Sequence, residues 1–273
     1  MTLTLELRTQ PPARAAAGEL IPERLQGLAA ADVAALTLRC GRQIVAVGDL
    51  FEVSGSADDQ VTFAGDLRLV DGIGAGMTRG RVVVEGACGD HAGARMRGGE
   101  LELRGDAGAW AGCEMSGGLL RISGHAGARL GGAYPGVRVG MTGGEIVVSG
   151  DAGEEAGAGM RRGLVAVGGR TGAGAGLRML AGTMIALRAI GAEAGLGNKR
   201  GTLMSVAALD PLPGYAFAAS YRPPALRVQL RRVRELGLTV PDELSNGAWA
   251  RWSGDRTELG RGEILIFDEE VSG

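Results

Sequence analysis

The chain has 273 residues, of which 50 are glycine, against a usual share of ~7 %. Collagen would place glycine at every third position with abundant proline, and a disordered linker would lack the apolar content of 45 %, so both classes are excluded. The formal net charge of -2 gives no general reason to bind nucleic acid or an anionic membrane, and we expect neither partner.

Residues 1–35 show neither a basic segment followed by an apolar stretch nor a run of ~18 apolar residues. They predict no leader peptide and no membrane helix, and we expect them to form an N-terminal capping segment. The cysteines, Cys40, Cys88 and Cys113, show no Cys-x-x-Cys spacing, which indicates a reducing compartment and argues against a zinc or iron–sulfur site. We therefore expect a cytoplasmic protein.

The central part of the chain repeats with a period of 19 residues. Six methionines at intervals of 19, 19, 26, 19 and 19 mark it: Met77, Met96, Met115, Met141, Met160 and Met179. Glycine recurs three, twelve and nearly always nine positions after them, and apolar residues alternate between the first two of these glycines. This alternation is typical of a β-strand. A small or apolar residue recurs fifteen positions after the methionine and predicts a second short strand.

A unit of short strands and glycine corners predicts an all-β protein, a right-handed parallel β-helix with coils of about 19 residues. A helical hairpin repeat needs more than about 30 residues, and the left-handed form built from hexapeptides does not fit a period of 19. We expect the β-helix to span residues 36–204, with less regular coils at 36–40, 44–53 and 61–70, and the methionines to form an internal column.

The remaining residues, 205–273, are expected to form a C-terminal capping tail. Within it, Pro224–Gly237 carries apolar residues at helical spacing among arginines, which predicts a short helix. The segment Gly262–Phe267 predicts a final strand.

The sequence contains no common catalytic or nucleotide-binding motif. The two histidines, His91 and His125, fall at different positions of the repeat, and we interpret both as polar residues at surface corners. Cys88 stands where other repeats have alanine and is interpreted as a small core residue. We therefore assign no catalytic residue and no metal ligand.

Three features interrupt the repeat, and such interruptions usually mark the binding or functional surface of a repeat protein. Seven extra residues precede Met141 and include Tyr134, Pro135 and Arg138, which form either a tolerated loop or a contact with a partner or ligand. The other interruptions are polar. The run Asn198, Lys199 and Arg200 begins at the methionine position and either caps the column or binds an acidic group. The pair Arg161–Arg162 is either a solvated corner or an anion contact.

The segment Gly140–Gly153, GMTGGEIVVSGDAG, and the tail segments 252–255 and 260–264 carry a family resemblance. The sequence resembles the C subunit of formylmethanofuran dehydrogenase and its counterpart in the formyltransferase/hydrolase complex of methylotrophic bacteria. The resemblance covers residues 72–201 and the tail. The repeat also resembles the C-terminal domain of glutamate synthase, but the chain length and the tail favour the C subunit.

The resemblance implies a non-catalytic structural subunit beside an amidohydrolase-like subunit, a formyltransferase and a further subunit. That complex moves a formyl group from formyltetrahydromethanopterin to a methanofuran-type carrier and hydrolyses it to formate, with no cofactor on this chain. Arginine outnumbers lysine 28 to 1, which favours the bacterial complex. The alternatives are the C subunit of a molybdenum or tungsten formylmethanofuran dehydrogenase and a stand-alone β-helix acyltransferase. The interruptions of the repeat make Tyr134, Pro135, Arg138 and 198–200 candidates for a partner or carrier contact.

Overall fold

A computed structural model describes residues 2–56 and 58–268, which form many strands and few helices. The elements before residue 72 are β1 Leu3–Leu7, β2 Ala15–Ala16, α1 Pro22–Leu25, α2 Ala30–Ala35, β3 Thr37–Cys40, β4 Gln43–Ala46, α3 Val47–Leu50, β5 Phe51–Ser54, β6 Gln60–Ala64 and β7 Val70–Asp71.

The 19-residue repeat contributes one strand per period. These strands are β8 Arg81–Glu85, β9 Arg97–Leu103, β10 Ser116–Ile122, β11 Gly143–Val148, β12 Leu164–Val167, β13 Thr183–Ala186 and β14 Thr202–Ser205. Each strand pairs in parallel with the next, and equivalent residues lie opposite one another, as Val82 does with Leu101 and Leu101 with Leu120. The predicted strand positions are therefore confirmed, and the repeat stacks in one long parallel sheet.

A second ladder of backbone contacts runs beside this sheet, but not where the sequence predicted it. Isolated parallel bridges join residues eleven positions after the methionines, such as Cys88 to Ala107 and Ala126 to Ala152. The residues fifteen positions after the methionines, including Ala92 and Ala111, are buried in turns and not in a strand. Their apolar character reflects burial alone, which a turn residue shares with a strand residue.

The six repeat methionines form an internal column, as predicted. All six are 0 % exposed and belong to one large apolar core. Glycines stand close against the column, and a Cβ atom on Gly144 would lie 2.8 Å from the terminal methyl carbon of Met115. Cys88 is also buried in this core, which confirms its interpretation as a small core residue.

Both ends of the long sheet recruit strands from distant parts of the chain. At one end, β17 Gly262–Asp268 pairs in parallel with β14, and β16 Ala248–Gly254 and β15 Ala216–Tyr221 extend the sheet by antiparallel pairing. At the other end, β1 pairs in parallel with β6 and antiparallel with β5. The predicted final strand is confirmed in β17.

Residues 36–53 differ from the coils that the sequence predicted. They form the antiparallel pair β3 and β4, followed by α3 and β5, and the pair belongs to a separate four-stranded sheet. Gly41 lies in the turn between β3 and β4 with φ +58°, a conformation that allows a two-residue hairpin loop. This local turn favours antiparallel pairing over continuation of the parallel stack.

The predicted C-terminal helix is confirmed as α4 Pro224–Glu235, which α5 Asp242–Asn246 follows. Leu226, Leu230 and Val233 of α4 are buried against residues on the outer face of the long sheet, in a second apolar core. The helix thus covers one face of the stacked repeats. Among the described residues, no helix has both the length and the apolar content that a membrane crossing requires.

Candidate partner-contact surface

The interruptions of the repeat come together around two adjoining cavities. The loop cavity, of about 570 Å³, is lined by Tyr134, Pro135 and Arg138 from the insertion and by Lys199. The cationic cavity, of about 810 Å³, is lined by Arg161, Arg162, Lys199 and Arg200 together with small residues. Leu180 and Lys199 line both cavities, so the two form one continuous surface.

Tyr134 fastens the inserted loop to earlier repeats. Its hydroxyl oxygen lies 2.9 Å from Nδ1 of His91, and the guanidinium carbon of Arg95 lies 5.3 Å from the centre of its ring. The half-buried position of the phenol raises the pKa of Tyr134 to about 12, and the nearby Cys113 thiol acts in the same direction. The phenol is therefore neutral at ordinary pH and serves as a hydrogen-bonding group.

His91 and Trp110 stack beside this tyrosine, an arrangement that the sequence did not lead us to expect. Their ring centres are 5.1 Å apart with an angle of 8° between the planes. The two residues are 19 positions apart and occupy the same place in successive repeats. That equivalence is the signal in the sequence that predicts the stack, because residues one period apart lie one above the other.

The same repeat position holds the backbone in the left-handed region. The φ angle lies between 55° and 64° at four non-glycine residues of this position, His91, Trp110, Arg129 and Glu155. In an earlier repeat the equivalent residue is Gly72, which adopts a positive φ without the steric cost of a Cβ atom. A non-glycine residue in this conformation costs roughly 1 kcal/mol or more. Of these residues, Arg129 and Glu155 line the loop cavity and form an ion pair there, and His91 contacts Tyr134 in its lining.

The outer part of the loop is open to solvent. Pro135, Val137 and Arg138 are exposed, and Val137 keeps 46 % of its surface accessible. The ends of the loop are fixed, because the N–H of Ala133 donates to Ala158 O at 2.9 Å and the N–H of Gly140 donates to Gly159 O at 2.8 Å. The loop therefore presents an exposed tip on an ordered base.

Asn198 closes the methionine column and is not available to a partner. It is 0 % exposed, its amide nitrogen donates to Gly201 O at 2.9 Å, and its amide oxygen accepts from Gly201 N at 2.7 Å. The structure thus corrects the expectation that Asn198 is a contact residue, because both amide groups serve the chain itself. Its neighbours differ, since Lys199 and Arg200 line the cationic cavity.

The C-terminal segment fastens to this end of the column. The N–H of Asp255 donates to Asn198 O at 3.1 Å, and its buried carboxylate accepts hydrogen bonds from the N–H groups of Gly197 and Thr257. Burial alone would raise the pKa of Asp255, but these hydrogen bonds outweigh it and hold the pKa below its usual value. Lys199 forms an ion pair with Glu258 of the same segment at 2.8 Å.

The other chemistry-bearing side chains have structural contacts. His125 is exposed at a corner, and its Nδ1 accepts a hydrogen bond from the N–H of Asp151 at 3.0 Å. Cys88 and Cys113 are buried free thiols, and burial raises the pKa of each to about 12. Within residues 2–56 and 58–268, no group of three or more His, Cys, Asp or Glu side chains is arranged to hold a metal ion.

Comparison with known proteins identifies the family to which this chain belongs. No protein-family model matches the chain. One similar structure is that of the formyltransferase/hydrolase complex FhcABCD from Methylorubrum extorquens with methylofuran, in which a chain matches with a TM-score of 0.89 and 32 % identity. The match covers 96 % of this chain and 98 % of that one. The chain belongs to the C-subunit family of the formyltransferase/hydrolase complex.

A sequence relative supports this family membership. The C subunit of the formyltransferase/hydrolase complex Fhc from Methylorubrum extorquens is 34 % identical over 86 residues. That aligned segment spans 32 % of this chain and 32 % of the relative, about a third of its length. The family resemblance that the glycine repeat and the tail carried is confirmed.

Proposed function

We propose that this chain is the non-catalytic C subunit of a formyltransferase/hydrolase complex and winds as a right-handed parallel β-helix. The observation that carries the proposal is the structural match over nearly the whole of both chains, capping segments included. In this assignment residues 1–35 and 205–273 close the ends of the stack, and the parallel repeats that follow the antiparallel segment 36–53, up to residue 204, form the body on which other subunits assemble.

The proposed complex transfers a formyl group from formyltetrahydromethanopterin to a methanofuran-type carrier and hydrolyses it to formate. Its partners are an amidohydrolase-like subunit, a formyltransferase and an additional subunit, all in the cytoplasm. This chain supplies no cofactor and no reacting group. The contacts of His91 with Tyr134 and of His125 with Asp151 support a structural role for both histidines.

The continuous surface of the loop cavity and the cationic cavity is the part of the chain that we assign to partner or carrier contact. Its contact residues are Tyr134, Pro135, Arg138, Lys199 and Arg200, while Asn198 supports them from the core. The exposed loop tip on a fixed base favours a docking role, since docking needs an accessible and ordered surface.

Formate release tests the assignment. The isolated chain is expected to release no formate from the formylated carrier, while the complex that contains it is active. His91→Ala and His125→Ala variants, introduced into the complex, are expected to keep the turnover number of the wild-type complex. Formate release by the isolated chain, or its loss from the complex with either variant while assembly persists, would contradict the non-catalytic role.

A further inference from the structure

The cationic cavity has a regular arrangement of charge. Arg161 and Arg162 stand in one repeat, and Lys199 and Arg200 stand at the equivalent positions 38 residues, or two periods, later. Successive coils of a parallel stack are ~4.8 Å apart, so the two pairs form two rows of positive charge about 10 Å apart. Leu180 and Ala181 occupy the same positions in the repeat between them.

The positive charge of this cavity is largely uncompensated within the described residues. Among the described residues, no carboxylate lines the cavity, and the side chains of Arg161, Arg162 and Arg200 form no ion pair. Lys199 is paired with Glu258, on the side of the loop cavity. Like charges gathered on one surface repel each other, so an anionic group placed between the rows would lower the electrostatic free energy.

The shape and lining of the cavity indicate the class of anion. Gly163, Ala181 and Gly182 leave room for close approach, and none of the described residues that line the cavity is aromatic, so a nucleotide base would have no ring on which to stack. The net charge of -2 for the whole chain also disfavours a polynucleotide. In a polyproline II segment, which has three residues per turn, side chains three residues apart lie on the same side about 9 Å apart, close to the separation of the two rows.

We propose that the cationic cavity binds an acidic segment of a partner protein, with carboxylates placed on the rows Arg161–Arg162 and Lys199–Arg200. This inference rests on the proposed function, which supplies partner subunits. The segment continues toward the loop cavity over Leu180 and Lys199, the residues that the two cavities share.

A peptide-binding experiment on the isolated full-length chain tests the proposal. The probe is a fluorescently labelled hexaglutamate peptide, compared with a hexaglutamine peptide. Hexaglutamate is expected to bind and to weaken as the salt concentration rises, while hexaglutamine does not bind. The double variant Arg162→Gln/Arg200→Gln is expected to weaken hexaglutamate binding roughly tenfold, because each guanidinium–carboxylate contact contributes.

A matched variant controls for the loss of two charges. Arg170→Gln/Arg188→Gln removes two exposed arginines outside the cavity and is expected to keep wild-type affinity. The charge-preserving variant Arg162→Lys/Arg200→Lys is expected to retain most of the binding. Equal weakening by both glutamine variants, binding of hexaglutamine as tight as that of hexaglutamate, or tighter binding of inorganic phosphate than of the peptide would overturn the proposal.

The experiment separates this inference from the proposed function. It uses no partner subunit. If hexaglutamate does not bind while the complex assembles normally, binding of an acidic segment is refuted and the proposed structural role stands. If the wild-type chain does not assemble with other subunits while hexaglutamate binds as expected, the proposed function is wrong. The assignment of an acidic ligand to the cavity then stands.

Discussion

The hydroxyl of Tyr134 lies 2.9 Å from Nδ1 of His91, although 43 positions separate the two residues in the sequence. The insertion thus folds back across two repeats and rests on the stack of His91 and Trp110. The aromatic ring is therefore part of the base of the loop, and the exposed tip is formed by Pro135, Val137 and Arg138.

Replacing Tyr134 with Phe removes this hydrogen bond and keeps the ring. We expect a loss of about 0.5–1.5 kcal/mol in the free energy that protects the loop, because a neutral side-chain hydrogen bond contributes that much. Hydrogen exchange of the amides at 133–140 measures it. Tyr221→Phe is the control, since none of the hydrogen bonds found in the described residues involves its hydroxyl. Equal exchange in Tyr134→Phe and wild type would show that the contact does not hold the loop.

The methionine column makes Met115 a sensitive position. Met115→Asp places an unpaired charge in a fully buried site and is expected to lower the free energy of unfolding by more than about 3 kcal/mol. Met115→Leu nearly conserves volume and is expected to cost less than about 1.5 kcal/mol. Urea denaturation of both variants compares them. Similar unfolding midpoints for Asp and Leu would mean that residue 115 does not face the core.

The outer face of the long sheet depends on α4. Leu230 is 0 % exposed in the second apolar core, while Val228 on the same helix is 66 % exposed. Leu230→Ala is therefore expected to cost about 2–5 kcal/mol of unfolding free energy, and Val228→Ala to stay within about 0.5 kcal/mol. Thermal denaturation and limited proteolysis after α4 check the pair. Comparable effects of the two substitutions would contradict the packing of α4.

The carboxylate of Asp255 is expected to make the free energy of unfolding fall in acid. Because hydrogen bonds hold its folded-state pKa below the unfolded value of ~3.9, its contribution is present above that value and is lost as the pH falls through the folded-state pKa. Asp255→Asn is expected to be less stable than wild type at neutral pH, and this difference is expected to shrink as the pH falls below the unfolded value of about 3.9. Denaturant unfolding at a series of pH values measures the difference.

An exposed carboxyl serves as the control for Asp255. Asp210→Asn is expected to retain the wild-type pH profile, because Asp210 lies at the surface. A difference between Asp255→Asn and wild type that stays constant from neutral to acid pH would contradict the assigned role of the Asp255 carboxylate.

The regular part of the fold was predictable from the sequence because one local pattern repeats. Parallel pairing of successive repeats places equivalent residues side by side, so the spacing of Met77 to Met179 reveals the stack, the core column and its polar end at Asn198. The hairpin at Gly41 and the antiparallel strands β15 and β16 depend on local turns and on partners far along the chain. The 19-residue period of the sequence does not predict such pairings.

The candidate surface was predictable as separate interruptions but not as one place. The sequence singled out Tyr134, Arg161 and Lys199 in three segments, and stacking brings these segments around adjoining cavities. The hydrogen bond to His91 depends on the path of the inserted loop, which the repeat does not specify. The repeat correctly assigned Asn198 to the methionine position, but the burial of its side chain could be seen only in the folded structure.

The role of this chain as a structural member of a multi-subunit complex is tested most directly by native mass spectrometry. The protein is purified from its source under mild conditions, and every associated chain and metal is identified. We expect three further subunits without molybdenum, tungsten or iron–sulfur clusters. Those metals would instead indicate a dehydrogenase complex, and a homotrimer without other chains would contradict the assignment and favour a stand-alone acyltransferase.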